Sequence, residues 1–443
     1  MKKQNKYKKL FFLLISIMYF TVISCLLFLP AYIFASEPQE EILILTEKKA
    51  VDIALKNNHD ILSKEEDIKE ANAKLQQAWS QVFPQINVSA SYTRYEDHPF
   101  ITYENNKGFS FSATQLLFSG GRVENSINAA ENALKAINES KKELENKIVY
   151  NTKQAFFTVL LAREFVKIRK EILDLAEENL SITKERYNKG EASHYDLLRS
   201  KVEVANIKPQ LIKAENFLKT SLNFLKVLLG IDPDTKIEIK GEFEFIPEET
   251  DLNREVYLAL EKRPELKEIA LQEEAVESQV KAAYAGYLPQ IYFNFTDFAN
   301  QKEAFTMGRK SYDDYWIATV SVKMSVFDGF LTSARVKEAK AKKRKLSILR
   351  KKLEDIVKVE VKNAILDLES ARSSVESQKE NVKRAKEAYQ IIKERYENGQ
   401  ASQLDLLDAR VALSTAKVNL AQSLYDFMVA KAKLRYVVGK GEE

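Results

Sequence analysis

The sequence contains very little of the residues that turn a chain or cross-link it. Glycine occurs 12 times and proline 9 times, about 3% and 2% against averages near 7% and 5%. Long helices are the expected consequence. Cys25 is the only cysteine, which excludes a disulfide-rich class. With three scattered histidines and no second cysteine, the sequence predicts no metal site and no cofactor.

The composition excludes two further classes. Charged residues make up 30% of the chain and hydrophobic residues 45%, which excludes both a disordered chain and a polytopic helical membrane protein. After the first 35 residues, no apolar run approaches 18 residues. A mature protein that crosses a membrane must therefore do so with strands.

Residues 1–35 have the pattern of a secretory signal peptide. Five lysines within residues 2–9 precede an apolar run over 10–35, and cleavage is expected after Ala35. An uncleaved anchor and lipidation of Cys25 remain as alternatives. Without those five lysines, 63 basic and 64 acidic residues remain, a net charge of −1 instead of +4. The apparent basicity belongs to the export signal, so we expect no nucleic-acid partner.

The rest of the chain is a duplication. Residues 182–202 and 391–411 are identical at 12 of 21 positions, at an offset of 209. Farther upstream the offset is 205, since 83–86 aligns with 288–291. The four-residue difference must lie in the loop between these anchors. Such self-similarity indicates one structural plan used twice.

The spacing of apolar residues in each half predicts a helix followed by two strands. Residues 45–80 and 254–286 carry apolar residues at helical spacing, and Pro84 and Pro289 end these helices of about 36 residues. Alternation with a period of two follows in four segments of about ten residues, a length that crosses a tilted bilayer. The alternative is a small soluble sheet. The expected lipid-facing residues are Phe109, Phe111, Ala113, Phe293, Phe295, Val320 and Val322.

Two very long helices come next. No proline interrupts residues 120–187 or 329–396, and each would be roughly 100 Å long as one helix. Ser119 and Asp328 are expected as their N-caps. Helices of about 38 residues return after turns at Gly190 and Gly399. A returning helix stacked end to end on an upstream helix would match the long one in length.

These elements define the predicted fold class: mainly α, with a β-barrel portion. Four strands cannot close a barrel, and open edges are not tolerated in lipid. Three chains would supply twelve strands, so we predict a homotrimer whose barrel continues into a long α-helical tunnel. The predicted segments are the signal peptide 1–35, the repeats 36–230 and 254–440, and a belt segment 231–253 at mid-height.

The sequence resembles the TolC family of outer-membrane efflux and secretion channels. The resemblance covers roughly residues 45–440, nearly all of the mature chain. It rests on the duplicated RYxxGxxSxxDLL turns, the Leu/Phe-Pro-Gln-Ile and Phe-x-Gly junctions, and the Arg-Pro-Glu-Leu sequence at 263–266. It implies a trimer in the outer membrane with a periplasmic tunnel, whose inner end docks with an adaptor protein and an inner-membrane transporter.

The resemblance also implies roles for residues of the turns. Asp405 and Asp408 match the acid pair that rings the periplasmic constriction and favours cations. Tyr396 and Asp196 match residues that help to hold it shut. The family's arginine matches Ala401 here, so its closing bonds cannot exist, and we propose that Arg199 pairs with Asp408 instead. Gly190 and Gly399 mark the tips that meet the adaptor.

The residues of the turns also have simpler structural interpretations. Ser193 with Asp196, and Ser402 with Asp405, fit capping boxes. Asp408 could be a solvated surface acid. Tyr187 and Tyr396 fit buried contacts at helix ends, and Gly190 and Gly399 fit helix C-terminal glycines.

The leading hypothesis is a passive exit duct of a tripartite efflux or type I secretion system, with energy supplied by another protein. No histidine sits in a motif that would orient a nucleophile, and no phosphate-binding glycine loop is present, so we expect no enzyme. The alternative is a non-conducting structural coiled-coil protein that spans the periplasm. A soluble adaptor or envelope hydrolase is disfavoured by the strands.

Overall fold

A computed structural model of the protein describes residues 42–96, 103–304 and 310–441. The chain divides into Met1–Leu43 and one compact unit, Ile44–Glu443, which is the unit described below. The predicted signal peptide, with Cys25 and Ala35, lies outside the described residues.

Helices make up most of the compact unit. They are α1 (Glu47–Asn57), α2 (His59–Ser80), α3 (Arg122–Asn188), α4 (His194–Leu229), α5 (Leu252–Lys262), α6 (Pro264–Tyr284), α7 (Leu331–Glu397) and α8 (Gln403–Val438). Both α3 and α7 are 67 residues long, about 100 Å each. The two uninterrupted long helices predicted from the absence of proline are thus confirmed. Each pairs with a 36-residue return helix, α4 or α8.

The two upstream helices are broken, which corrects the prediction of one helix of about 36 residues in each half. Asn58 has an extended ψ of 128°, and its side chain accepts a hydrogen bond from the Asp60 N–H at 2.9 Å, so it ends α1 and caps α2. In the second half, Pro264 starts α6 and disfavours a helical conformation at Arg263. Both breaks lie where the end of a return helix docks.

That docking confirms the end-to-end arrangement. The Asn58 side-chain amide donates to the Leu228 carbonyl at 2.9 Å, and Gly230 closes α4 with a φ of 62°. A Cβ on Gly230 would lie 2.2 Å from the Asn57 carbonyl oxygen. Gly439 closes α8 in the same way against the backbone of Lys262 and Arg263. Only glycine allows both this backbone conformation and this close approach.

The starts of the long helices differ from the prediction by two residues. The N-cap positions are Gly121 and Phe330, both with positive φ. Ser119 and Asp328 still serve the first turns from farther upstream. The Ser119 Oγ accepts from the Val123 N–H at 3.2 Å, and Asp328 accepts from the Thr332 N–H at 2.8 Å.

Four strands form one antiparallel sheet: β2 (Gln85–Arg94), β3 (Tyr103–Phe118), β5 (Gln290–Ala304) and β6 (Lys310–Lys323), hydrogen-bonded in this order. Two short strands, β1 (Leu43–Leu45) and β4 (Ile237–Ile239), form a separate pair. The register is the same in both repeats: Gln85 lies opposite Thr114, and Gln290 lies opposite Lys323. Arg94 opposite Asn105 likewise matches Ala299 opposite Asp314. The four extra residues of the second half therefore lie at its hairpin end, as the change of offset predicted.

The register gives the sheet one apolar face and one polar face, because directly opposed residues point to the same side. All seven residues predicted to face lipid share the apolar face. The apolar face consists of Ile86, Val88, Ala90, Phe109, Phe111, Ala113, Ile291, Phe293, Phe295, Ala318, Val320 and Val322; the polar face includes Asn87, Ser89, Ser91, Ser110, Ser112, Thr114, Asn294, Thr296, Thr319 and Ser321. On the polar face, the hydroxyls of Ser89 and Ser110 are hydrogen-bonded at 2.7 Å. Asp297 is an exception on the apolar face, beside Phe111 and Trp316.

Residues 231–251 pack around the long helices. The Lys240 N–H donates to the Leu45 carbonyl at 2.8 Å, and the Arg163 guanidinium of α3 donates to the carbonyls of Ile239 and Gly241. Ile237 and Ile239 lie in strand β4, whereas residues 243–245 have no regular structure.

One apolar cluster joins α5, α7 and α8 around the fully buried Phe427, with Val357, Val361 and Val438. Among the described residues, no helix is long and apolar enough to cross a membrane.

Candidate functional site

The turn between α3 and α4 and the turn between α7 and α8 have the same backbone design. Gly190 and Gly399 have φ values of 78° and 71°. The Gly190 N–H donates to the Tyr187 carbonyl and the Glu191 N–H to the Arg186 carbonyl, at 2.9 and 2.8 Å, and the second turn repeats both bonds. This is the Schellman pattern of a helix C-terminus. Nothing lies within 4 Å of a Cβ at either glycine, so the backbone angle alone requires glycine there.

Each return helix begins with a capping box. The Asp196 N–H donates to the Ser193 Oγ at 3.1 Å, and the Ser193 N–H donates back to the Asp196 carboxylate at 3.1 Å. Ser402 and Asp405 form the same two bonds at 3.2 and 2.9 Å. Both acids therefore have the structural role that their spacing predicted.

These bonds also set the ionisation of Asp405. The Ser402 hydroxyl, and then the Ser402 backbone N–H, hold the pKa of the Asp405 carboxyl below its usual range. In one chain, Asp405 is thus an exposed, ionised carboxylate.

Side chains connect the two turns to each other within one chain. The Arg186 guanidinium lies 5.1 Å from the centroid of the Tyr396 ring, and it donates to the Glu397 carbonyl at 3.2 Å. Such a cation–π contact stabilises the pair modestly. The Gln403 amide donates to the Asp196 carbonyl at 3.3 Å and to the Ser200 hydroxyl.

A buried ion pair lies farther from the turns than the contacts of Arg186 and Gln403. Arg410 of α8 donates to Glu203 of α4 at 2.8 Å, and the two side chains are 3% and 9% exposed. Burial raises the pKa of the Glu203 carboxyl, while Arg410 and then Arg199 act to lower it. The pair borders a cavity of about 380 Å³ between α3, α4 and α8.

The predicted site residues are only partly brought together. Asp408 is exposed, and within the described residues its carboxylate makes no hydrogen bond or ion pair. Arg199 lines the cavity beside Glu203 and forms no ion pair with Asp408 in this chain. Tyr396 is half-buried against Arg186, not bonded to Asp196. The Arg199–Asp408 contact would have to join two chains, and it stays a prediction.

Sequence reasoning missed the residues that make these connections: Arg186, Glu203, Gln403 and Arg410. For three of them a signal exists in the differences between the repeats. Gln403 replaces His194, Arg410 replaces Lys201, and Glu203 is replaced by Ala412. Contacts between two repeats need not be symmetric, so side chains that serve them can differ where the repeats otherwise agree.

Most of the chain matches one family of proteins. Residues 50–231 and 256–440 match the family described as Outer membrane efflux protein, and the chain belongs to this family. The resemblance to TolC-family channels is thereby confirmed.

Similar proteins span most of the chain. The outer membrane efflux protein BepC of Brucella suis is 24% identical over 87% of this chain and 84% of its own length. The outer membrane protein TolC of Escherichia coli is 21% identical over 86% and 80%. The crystal structure of the Campylobacter jejuni CmeC outer membrane channel superposes with a TM-score of 0.78 at 21% identity, covering 89% and 86%.

Family and fold together establish what kind of protein this is. It is an outer-membrane efflux protein that forms an exit duct, with a helical tunnel part and a strand part. Its location is the outer membrane. The relatives are efflux proteins and channels, not enzymes.

Proposed function

We propose that the protein is a passive, non-catalytic homotrimeric duct of a tripartite system, through which substrates leave a pump and reach the exterior. The observation that carries this proposal is the four-stranded sheet. One of its faces is mainly apolar, and within the described residues its outer strands β2 and β6 each have a neighbour on one side only. Unpaired strand edges are not tolerated in lipid, so further copies of the chain must cover them.

Aromatic side chains support placement of this sheet in a bilayer. Exposed Trp79, Phe83, Tyr284 and Tyr287 lie near the helix–strand junctions, and exposed Tyr92 and Tyr312 lie toward the hairpin ends. Two aromatic girdles that flank an apolar band are typical of membrane-spanning strands.

The internal repeat predicts how two copies pair. Within the chain, β3 pairs with β5, and Ser112 lies opposite Thr296. The repeat offsets transfer this pairing to β6 of one copy and β2 of the next, with Ser321 opposite Ser91 and Val322 opposite Ala90. Residues 324–327, which follow β6 without regular structure, would extend the pairing to Ile86.

Cysteine cross-linking tests this contact. Under mild oxidation, the double variant Ser91→Cys with Ser321→Cys should form disulfide-linked trimers on a denaturing gel, because directly opposed Cβ atoms are close enough to bridge. The matched control, Ser89→Cys with Ser321→Cys, shifts the register by two residues and should not cross-link. Equal cross-linking of both pairs, or of neither, would contradict the predicted register.

A conductance measurement distinguishes the proposed duct from a non-conducting structural coiled-coil protein. The purified protein should form ion-conducting channels in planar lipid bilayers. A non-conducting periplasmic coiled coil would give no channels at any protein concentration, although its long helices would be the same.

The pump and adaptor are proposed to meet the turns at Gly190 and Gly399, which are exposed and farthest from the strands. Asp405, Asp408, Asp196, Tyr396 and Arg199 are proposed to form the gate and selectivity region there. Co-purification from detergent with a periplasmic adaptor should be lost in Glu191→Arg with Gln400→Arg, at exposed positions beside the two glycines, whereas channel formation should persist. Unchanged co-purification would place the adaptor elsewhere.

A further inference from the structure

Arginines of three helices face one cavity in the helical part of the molecule. Arg169 of α3, Arg199 of α4 and Arg410 of α8 line the cavity of about 380 Å³, and Glu203 of α4 is the sole acid among its lining residues. Three guanidinium groups and one carboxylate leave the wall with an excess of positive charge. Cavities that bind small molecules have about 300–1,000 Å³, so this one has room for a small ligand.

Within the described residues, one of the three arginines has a carboxylate partner. Arg410 is 3% exposed and donates to Glu203 at 2.8 Å, and its buried Nε has no hydrogen-bond partner. Arg169 and Arg199 are half-buried, and in the described part of the chain neither makes a hydrogen bond or an ion pair. A charged group that has lost part of its water and has no partner is costly. An anion in the cavity would lower that cost.

The rest of the cavity wall is mainly apolar. Its aliphatic side chains come from the same three helices: Ile172 of α3, Val202 and Ile207 of α4, and Leu407 and Val411 of α8. Val202 and Val411 are exposed in the chain although they are large and apolar. A ligand that suits both parts of the wall has an acidic group and an apolar body. The guanidinium fork binds carboxylate, sulfonate or phosphate groups through two parallel hydrogen bonds.

The excess of arginine is not a consequence of the duplication. The corresponding residues at the offset of 209 are less basic: Gln378 for Arg169, Asp408 for Arg199 and Lys201 for Arg410. One cation and one acid cancel, so the repeat-related surface has no excess of positive charge. The charge therefore belongs to this cavity and not to the repeated helix plan.

The cavity is complete within one chain. The long helix α3 packs against both α4 and α8, and these three helices supply all of the lining residues. No residue of a second copy is needed to form the wall. A trimer would therefore contain three equivalent cavities.

We propose that this cavity is a binding site for small organic anions, in which a carboxylate, sulfonate or phosphate group is attached to an apolar body of one or two rings. The acidic group lies between Arg169 and Arg199, and the apolar body lies against the aliphatic side chains. Glu203 competes with the ligand for the guanidinium groups and so limits the affinity. This inference goes beyond the proposed function, because conduction requires no such site.

Calorimetric titration with naphthalenesulfonate tests the site. The purified protein is held in lipid nanodiscs, and empty nanodiscs correct for partition of the probe into lipid. We expect saturable binding of one probe molecule per chain. Absence of saturable binding would overturn the proposal.

Two further probes separate the contributions of charge and apolar body. Naphthylmethylammonium has the same rings with the opposite charge and should not bind. Sulfate has the charge without the rings and should bind about tenfold more weakly than naphthalenesulfonate, because it buries no apolar surface. Equal affinity for the two naphthalene compounds would overturn the proposal. Equal affinity for sulfate would overturn the assignment of an organic ligand.

The variant Arg169→Gln tests the arginines. Glutamine occupies the corresponding position of the second repeat, at Gln378, so it suits the same type of helix. The variant should bind naphthalenesulfonate about tenfold more weakly, because a charge-assisted hydrogen bond is lost. The matched control is Lys213→Gln, at an exposed position of α4 outside the cavity, which should bind like the wild type. An equal loss in both variants would show general attraction of anions instead of a site.

The variant Glu203→Gln should have the opposite effect. It removes the competing carboxylate and keeps a side chain of the same shape, so naphthalenesulfonate should bind about tenfold more tightly. Disturbed packing would weaken binding instead, and weaker or unchanged binding would overturn the role of Glu203 as a competitor. Asp408→Ala should not weaken binding, because a contact of Asp408 from another chain with Arg199 would also compete with the anion.

Controls keep this inference separate from the proposed function. Melting temperatures without probe verify that each variant is folded. Conduction without saturable probe binding would overturn the anion site and leave the duct standing. Probe binding with the expected response of the variants, in a protein that does not conduct, would overturn the duct and support the site.

Discussion

At the scale of single residues, the most unusual position is Phe330. Its φ of 68° makes it the sole non-glycine residue with positive φ in the described part of the chain, and Gly121 holds the same position in the first repeat. A left-handed conformation costs a bulky residue roughly 1–2 kcal/mol. The exposed Phe330 ring lies edge-on to Phe327 at 5.5 Å, beside the end of the sheet. The contact between these two rings therefore opposes the cost of the backbone conformation.

Phe330→Gly tests whether the backbone strain or the ring contact with Phe327 has the larger effect on stability. The variant should raise the free energy of unfolding in detergent by about 1 kcal/mol, because glycine adopts the conformation freely. Gly121→Ala, the reciprocal control, should lower it. A loss of stability in Phe330→Gly would show that the contact with Phe327 outweighs the backbone strain.

The capping box at Ser402 makes a prediction about pH. Because the pKa of Asp405 is lowered in the folded protein, its contribution to stability is present above the ordinary carboxyl pKa and is lost as the pH falls below it. Ser402→Ala should therefore lower the melting temperature at neutral pH, and the difference from wild type should shrink in acid. Ser181→Ala, at an exposed position within α3, should have no such pH-dependent effect.

At the scale of elements, the alternation of the strands has a consequence for membrane insertion. Val320 is exposed on the apolar face opposite Phe293, whereas Phe111 lies opposite Asp297. An arginine at Phe111 could pair with that carboxylate, so Val320 is the cleaner position for a test. The polar face at Thr319, opposite Asn294, offers a neighbouring control.

Val320→Arg should impair insertion into lipid, at a cost of roughly 2–4 kcal/mol near the midplane. Thr319→Arg should insert normally, since its side chain points to the polar face. The fraction of each variant that resists urea extraction from membranes measures the effect. Equal insertion of the two variants would mean that the apolar face does not contact lipid.

At the scale of the whole molecule, sequence patterns predicted the elements better than their contacts. Long helices and strand faces follow from periodicity and from the absence of proline, and the position of the four extra residues follows from the two offsets. The break at Asn58 was missed because no proline marks it, and the left-handed Phe330 was missed because the residue type argues against that conformation.

The contacts between the repeats could not be predicted from the sequence, for a different reason. The bonds of Arg186 to Glu397, Gln403 to Asp196 and Arg410 to Glu203 join residues more than 200 positions apart. Periodicity assigns a face to each residue but does not say which helix that face meets. The capping boxes, in contrast, were predictable because Ser193 with Asp196 and Ser402 with Asp405 act within one turn.

The assembled molecule should be selective for cations at its turn end. Asp405 and Asp408 are exposed within the first two turns of α8, at the end of helices of about 100 Å. Three copies around one axis would form a ring of six carboxylates, and a narrow negative ring attracts cations and repels anions. The lowered pKa of Asp405 in the single chain keeps its carboxylate ionised at neutral pH.

Asp405→Ala with Asp408→Ala should therefore lose the cation preference, measured as a reversal potential across a salt gradient in planar bilayers. The loss of the Ser402–Asp405 cap would itself loosen the turn, so Asp408→Ala alone, which leaves the capping box intact, should reduce the preference part of the way. Glu66→Ala with Glu70→Ala, exposed acids on α2, is the control for net charge. If the double variant at the turn kept wild-type selectivity, the two acids would lie off the conduction path and the constriction would have to be formed by other residues.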